Sequence, residues 1–332
     1  MIVFKDNFLR FMEKMTEDYE VFAPVKDQDS DMAMLIRWKS REDGLPVLDG
    51  YRCVDPPKAV LFPARNDVLK PLKTKKLLLG IKNCDLQAIK LLDRALLETD
   101  YVDPIYREAR ESTLIIGADC TDFTPTCHCI LQGNEPYPQK PFDISLSMIS
   151  DRIFLKSGSK KGEEFLELVE KNMETTEENE SILKTLNNKR ADLHRKLEIL
   201  NNQWSRSISI EKLDLNKKDL VDSCIECGGC NFICPTCYCF MMNDESTDQE
   251  HSLVRTWDGC QLKGYARVAG GANAREKLYQ RFNHRYSCKF KYMPEQFDVS
   301  GCTGCGRCID VCPAQIDIRN VMRSMREQAV EK

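Results

Sequence analysis

The sequence predicts an α+β protein in three parts, and three observations carry that reading. Short apolar runs alternate with a helical repeat before residue 157. A stretch rich in Glu, Lys, Leu and Asn follows, over about 158–215. Twelve of the 17 cysteines then fall between Cys224 and Cys312. The expected parts are an α/β domain at 1–157, a helical arm or linker at 158–215 and a cysteine-dense, mainly helical domain at 216–332, with an insertion at 240–300. A length of 332 residues agrees with more than one domain.

In the first part, Lys76–Ile81 reads as a buried strand and Asp85–Leu97 as a helix, with Leu86, Ile89, Leu92 and Leu96 on one face. Ser112–Ala118 reads as a second buried strand. Ile144–Ile149 and Arg152–Lys156 read as a hairpin turning at Ser150-Asp151. Strands interleaved with helices favour a parallel or mixed sheet. In the second part, Phe165, Leu168 and Val169 mark one helical face, and Ile182, Leu186, Leu193, Leu197 and Leu200 another. Its charge pattern reads as a solvated spacer or a partner-docking arm.

The near-balance of 48 basic and 52 acidic residues gives no basic surface, so a nucleic-acid partner is not expected. No uncharged apolar run reaches membrane-spanning length, and Lys5, Asp6 and Arg10 break the N-terminal segment as a signal peptide. A cytoplasmic protein without membrane insertion is expected. An odd cysteine count in a long chain without an export signal does not describe a disulfide framework; it points to metal.

The spacing of the cysteines says which metal chemistry. Cys224, Cys227, Cys230 and Cys234-Pro235 form C-x2-C-x2-C-x3-C-P, and Cys302, Cys305, Cys308 and Cys312-Pro313 repeat it. This is the two-cluster ferredoxin pattern, a run that general knowledge of iron–sulfur ligation already records. Three closely spaced thiolates wrap one face of a four-iron cluster, and the fourth, past a turn, reaches the other cluster. Cys224, Cys227, Cys230 and Cys312 are therefore expected to hold one [4Fe–4S] cluster, and Cys302, Cys305, Cys308 and Cys234 the second. The competing readings are structural zinc, which prefers paired C-x2-C ligands, and purely structural clusters.

Other cysteines form two further sets. Cys84 and Cys120 follow the two buried strands; if these are parallel neighbours, both thiols emerge at the sheet edge where α/β folds place ligands. With Cys127 and Cys129 they form a candidate third iron–sulfur site, against the reading of free buried cysteines. Asp85 is a substitute ligand in that set. Cys237, Cys239 and Cys260, with Cys288 as a fourth member, form a weaker candidate for a fourth cluster, a redox-active thiol set or packing of the insertion. Cys53 has no role assigned. His128, between two candidate ligands, stands apart from the other three histidines, which read as ordinary residues. No G-x-G-x-x-G opens a strand-to-helix turn, so no nicotinamide or flavin site is expected.

Several of these segments together resemble a known family: the β subunit of cytosolic sulfhydrogenases and the A subunit of anaerobic sulfite reductases. Cys234-Pro235-Thr236-Cys237-Tyr238-Cys239 matches its C-P-T-C-x-C, and Trp257-Asp258-Gly259-Cys260 its W-x-x-C. Ala269–Arg275 is similar to its A-G-G-H-x-F-R, Asn83-Cys84-Asp85 to its R-x-C-D, and Cys120 to Cys127-His128-Cys129 to its C-x6-C-F-C. The departures are Ala272 and Ala274 in place of His and Phe, Cys288 in place of His, and His128 in place of Phe. The resemblance implies an electron-transfer subunit between a flavoprotein or NAD(P)H-oxidising subunit and a catalytic subunit of hydrogenase or sulfite-reductase type. The alternatives are the same role in a heterodisulfide-reductase or formate-dehydrogenase assembly, a reductase with an open-site cluster at Cys237, Cys239 and Cys260, and a redox sensor or assembly factor.

Overall fold

A computed structural model describes residues 1–27, 29–70, 74–176, 180–204, 221–247 and 250–330, with side chains to Ser324. Among the described residues ten strands form two sheets: β1 (Ile2–Phe4), β2 (Glu20–Lys26), β3 (Ala33–Arg37), β4 (Arg65–Asp67), β5 (Lys76–Ile81), β6 (Thr113–Ala118), β7 (Ile144–Ile149), β8 (Arg152–Ser157), β9 (Phe240–Ser246) and β10 (His251–Trp257). The larger sheet has the order β1-β8-β7-β6-β5-β2-β3, and the smaller β4-β10-β9.

The apolar runs of β5 and β6 are buried along their whole length because helices cover both faces. They pair in parallel, Leu77 opposite Leu114 and Leu78 opposite Ile115. The helix Asn83–Leu97 and the helix Pro104–Glu111 make the crossover between them. β7 and β8 form the expected hairpin, with Ser150 in the left-handed region at φ 58°. The register shifts between Leu79 and Ile81, where Gly80 adopts φ 76°. This irregularity bends the strand end just before the helix that carries Cys84.

One face of the sheet packs on the helix Lys5–Met15 and the helix Lys160–Asn172, through Phe8, Met12, Phe165 and Val169. The other face packs on Leu86, Ile89, Leu92 and Tyr106, joined by Met293 and Phe297 from the C-terminal part. The segment read as a spacer arm is therefore corrected. Helix Lys160–Asn172 belongs to the α/β core, and a Cβ at Gly162 would come 1.9 Å from the Asp143 carbonyl oxygen. Helix Glu180–Leu200 also lies against the body: Leu186 packs on Ile2 and Phe154, Leu193 and Leu197 on Cys127 and Ile130. Arg190 grips Asp119 through two nitrogens at 2.8 and 2.9 Å. The leucine stripe has a protein partner, which its spacing alone could not reveal. Residues 205–220, the remainder of the expected arm and the start of the third part, lie outside the described residues.

The expected insertion at 240–300 ties the C-terminal part to the α/β part. Its hairpin β9–β10 takes β4 from the N-terminal part as a third strand, with Val254 opposite Asp67 and Arg255 opposite Asn66. Its helices send Met293 and Phe297 beneath the helix Asn83–Leu97. No described helix is long and apolar enough to cross a membrane.

Candidate metal centre

The two cysteine runs adopt the same backbone path. Residues 226 and 228 in the first run, and 304 and 306 in the second, are left-handed: Glu226 at φ 59°, Gly228 at 71°, Gly304 at 71° and Gly306 at 78°. Each run then makes a single helical turn, Gly229–Phe232 or Arg307–Asp310. This is the tight winding that three thiols at i, i+3 and i+6 need to face one centre. At Gly304 the glycine is required twice over, since a Cβ there would lie 2.4 Å from the Cys129 Cα and the His128 oxygen.

Cys312 lines one cavity with Cys224, Cys227 and Cys230, walled by Phe282, Tyr286 and Ile318; Cys308 also reaches its edge. Around the second run, burial pushes the Cys302 thiol up to about 12, with Cys305 and Cys234 adding to the rise. Cys308 is raised by burial too, and again Cys302, Cys305 and Cys234 contribute. Cys234 is thus close enough to the cysteines of the other run for its charge to act on them. Cys227 is the exposed member of the eight.

The candidate third set also comes together. Burial pushes Cys120 up to about 12, with Cys127 adding, and burial followed by Cys120 and Cys127 raises Cys129. Burial raises Cys84, with Asp85, Cys305 and Cys120 adding. Leu193 and Leu197 pack against Cys120, Cys127 and Cys129. It abuts the second run, since His128 N–H donates to the Gly304 carbonyl at 2.9 Å. His128 is buried, which pulls its pKa down to about 4. Its Nδ1 donates to the Thr126 carbonyl at 2.9 Å, leaving Nε2 towards Cys302 Sγ at 3.8 Å. Asp85 is not free to act as a substitute ligand: its two oxygens accept from Arg307 at 2.6 and 2.8 Å. Arg307 also donates to the carbonyls of Cys53 and Val54.

Cys239, Cys260 and Cys288 form a further group; burial pushes the Cys239 thiol up to about 11, with Cys260 and Cys288 adding. Cys237 stands beside Cys234. Cys53 is buried and its thiol donates to the Asp55 carbonyl at 3.1 Å. Among the described residues, no three His, Cys, Asp or Glu side chains close around a single ion.

Sequence reasoning missed the buried cations. Lys58 and Lys289 are each 2% exposed and Arg285 4%. Lys58 Nζ donates to the carbonyls of Cys234 at 3.0 Å and Cys237 at 2.9 Å, and lies 3.8 Å from the Trp257 ring centre. Arg285 points a nitrogen at Cys237 Sγ at 3.8 Å, and Lys289 donates to Thr236 Oγ1 at 2.7 Å. No described carboxylate pairs with any of the three. Buried cations need buried anions, and the anions on hand are cysteine sulfurs. Iron–sulfur clusters with thiolate ligands supply such negative charge, so the residues present fit them. Arg285 and Lys289 stand at i and i+4 among Phe282, Tyr286 and Phe290, the one sequence signal that pointed inward.

Residues 223–316, which contain both runs, match the family described as 4Fe-4S dicluster domain. Over 336 aligned residues, 96% of this chain and 96% of the relative, the chain is 32% identical to sulfhydrogenase 2 subunit beta of Pyrococcus furiosus. A shorter similarity, 31% over 96 residues, covers 28% of this chain and 6% of pyruvate-flavodoxin oxidoreductase of Trichormus variabilis. The C-terminal part therefore carries two [4Fe–4S] clusters, and the α/β sheet precedes a dicluster domain. Coverage at both ends makes the conclusion plain: the chain belongs to the sulfhydrogenase β-subunit family and is an iron–sulfur electron-transfer subunit of an oxidoreductase.

Proposed function

We propose that this chain relays electrons between a flavoprotein or NAD(P)H-oxidising subunit and a catalytic subunit of hydrogenase or sulfite-reductase type. Cys224, Cys227, Cys230 and Cys312 hold one cluster, and Cys302, Cys305, Cys308 and Cys234 the second. Cys84, Cys120, Cys127 and Cys129 hold a third. When bound, the clusters supply one-electron redox chemistry at potentials set by their surroundings.

The observation that carries this reading is the set of buried cations, Lys58, Arg285 and Lys289, around the two runs with no carboxylate partner among the described residues. They favour the more negative, reduced form of what the thiolates hold. Phe282, Tyr286 and Ile318 give the first site an apolar wall on its inner side. The contact between His128 and Gly304 supports the third site as a neighbour of the second. At the mouth of that site Cys227 is exposed; Ile225, 66% exposed, lines the same cavity, and Val311, 41% exposed, meets Cys227 across Gly229, an apolar rim on which a partner docks.

The test is a copurification under anaerobic conditions, followed by reduction of the assembled complex with NAD(P)H and EPR of the chain's clusters. Reduction is expected in the complex but not in the isolated chain. Ile225→Glu with Val311→Glu should slow it at least tenfold without loss of iron. An isolated chain that turns over a disulfide or sulfur substrate would instead support a reductase, and failure to copurify with any catalytic subunit would point to a sensor or assembly factor.

A further inference from the structure

Cys237, Cys239, Cys260 and Cys288 come from three separate elements. Cys237 and Cys239 lie on the extended segment after Pro235, Cys260 follows β10, and Cys288 opens the π-helical turn Cys288–Tyr292 that ends the helix Leu278–Ser287. Backbone pairing draws the first two elements together. Phe240 stands opposite Trp257, and Asp258 N–H continues the ladder by donating to the Cys239 carbonyl at 2.9 Å. The Asn231 amide serves two sulfurs, at 3.3 Å from Cys260 Sγ and 3.8 Å from Cys237 Sγ. Cys239, Cys260 and Cys288 are close enough for their charges to act on one another.

Two buried cations converge on the same place. Arg285 reaches Cys237 Sγ at 3.8 Å. Lys289 adjoins Cys288 in sequence and is held by Thr236 Oγ1 at 2.7 Å and the Gly301 carbonyl at 3.1 Å. Thr236 is itself fully buried, and its hydroxyl donates to the Gly301 carbonyl at 2.6 Å, so this scaffold is fixed. A π-helical turn is a rare irregularity that recurs at functional sites, and here it falls at Cys288.

We infer that Cys237, Cys239, Cys260 and Cys288 bind a further iron–sulfur cluster of the [4Fe–4S] class, in addition to those held by the two runs and by the N-terminal cysteines. The inference rests on the reading that the runs beside it hold clusters. Each thiol gives up its proton on ligation. The resulting anion adjoins Arg285 and Lys289, which pair with no described carboxylate and which it shares with Cys234 of the first run.

The test uses the full chain, purified anaerobically and replenished with iron and sulfide. Native mass spectrometry counts intact clusters, and EPR follows their type. Cys239→Ser with Cys260→Ser is expected to remove one cluster, about four irons, and to leave those of the two runs in place. Cys288→Ala is expected to give the EPR signal of an oxidised three-iron cluster, which simple loss of packing would not produce. An unchanged cluster count in the double variant overturns the inference. Should that variant fail to fold, Cys288→Ala decides: the three-iron signal supports the site, and unchanged iron with no new signal overturns it. A wild-type chain with no clusters at all would instead mean that the reading of the two runs had failed.

Discussion

Replacing Asp85 with Asn tests how the α/β part holds the second cysteine run. Arg307, between Cys305 and Cys308, is 1% exposed, and its partner Asp85 is 2% exposed. Burial alone would lower the pKa of the guanidinium, but Asp85 keeps it above its ordinary value. Asp85→Asn keeps the shape and strands a buried charge, which typically costs about 3–5 kcal/mol. Scaled to 332 residues, the unfolding entropy is about 0.7 kcal/mol/K, so Tm should fall by about 4–7 °C. The double variant Asp85→Asn with Arg307→Met removes the stranded charge, so it should cost at least about 1 kcal/mol less than the sum of the singles. The assay is calorimetry of the iron-loaded chain at one scan rate and pH, with a count of retained iron. A fall in Tm below about 1 °C for Asp85→Asn, or strict additivity, would refute the claim that this pair clamps the run to the sheet.

Four further outcomes follow from the same geometry. Gly304→Ala places a methyl group in Cys129 and His128 at a left-handed position, so it should destabilise by more than about 3 kcal/mol and shed iron on gel filtration. Gly270→Ala, in open space, should stay within about 0.5 kcal/mol of wild type. Lys58→Met removes a cation from beside Cys234 and Cys237. At an effective dielectric of about 20 and about 6 Å, one charge is worth about 3 kcal/mol. A redox titration should therefore show a cluster potential more negative by on the order of 100 mV, and an unchanged potential would contradict the electrostatic role. Burial pushes the Cys53 thiol up to about 11, so the reactive thiolate forms only as pH rises towards that value. Iodoacetamide should label Cys53 of the native chain slowly at pH 8, with a rate rising about tenfold per pH unit, as read by mass spectrometry; rapid labelling at pH 8 would mean the thiol is not enclosed.

What the sequence made legible was local. The apolar runs of β5 and β6 lie where the residues alone predict them, because two-sided burial leaves an unbroken stretch of Leu and Ile. The cysteine runs read directly because one tight turn fixes their spacing. The polar β4, Arg65–Asp67, carries no strand signal and exists because β10 pairs with it. Leu193 and Leu197 show a face but not what covers it; their partner, Cys127 with Ile130, lies more than sixty residues earlier. Lys58 and Lys289 read as surface residues, and only long-range convergence turns them inward. The candidate third site was half legible: parallel pairing of β5 and β6 was a condition in the sequence reading and is a fact of the fold.

The most direct test of the electron-relay account is Mössbauer spectroscopy of the anaerobically purified chain, with iron and sulfide counted per polypeptide. The account predicts that all iron sits in [4Fe–4S] clusters, with about eight irons from the two runs and about four more for each additional occupied site. Zinc in place of iron, or no more than about four irons per chain, would contradict it.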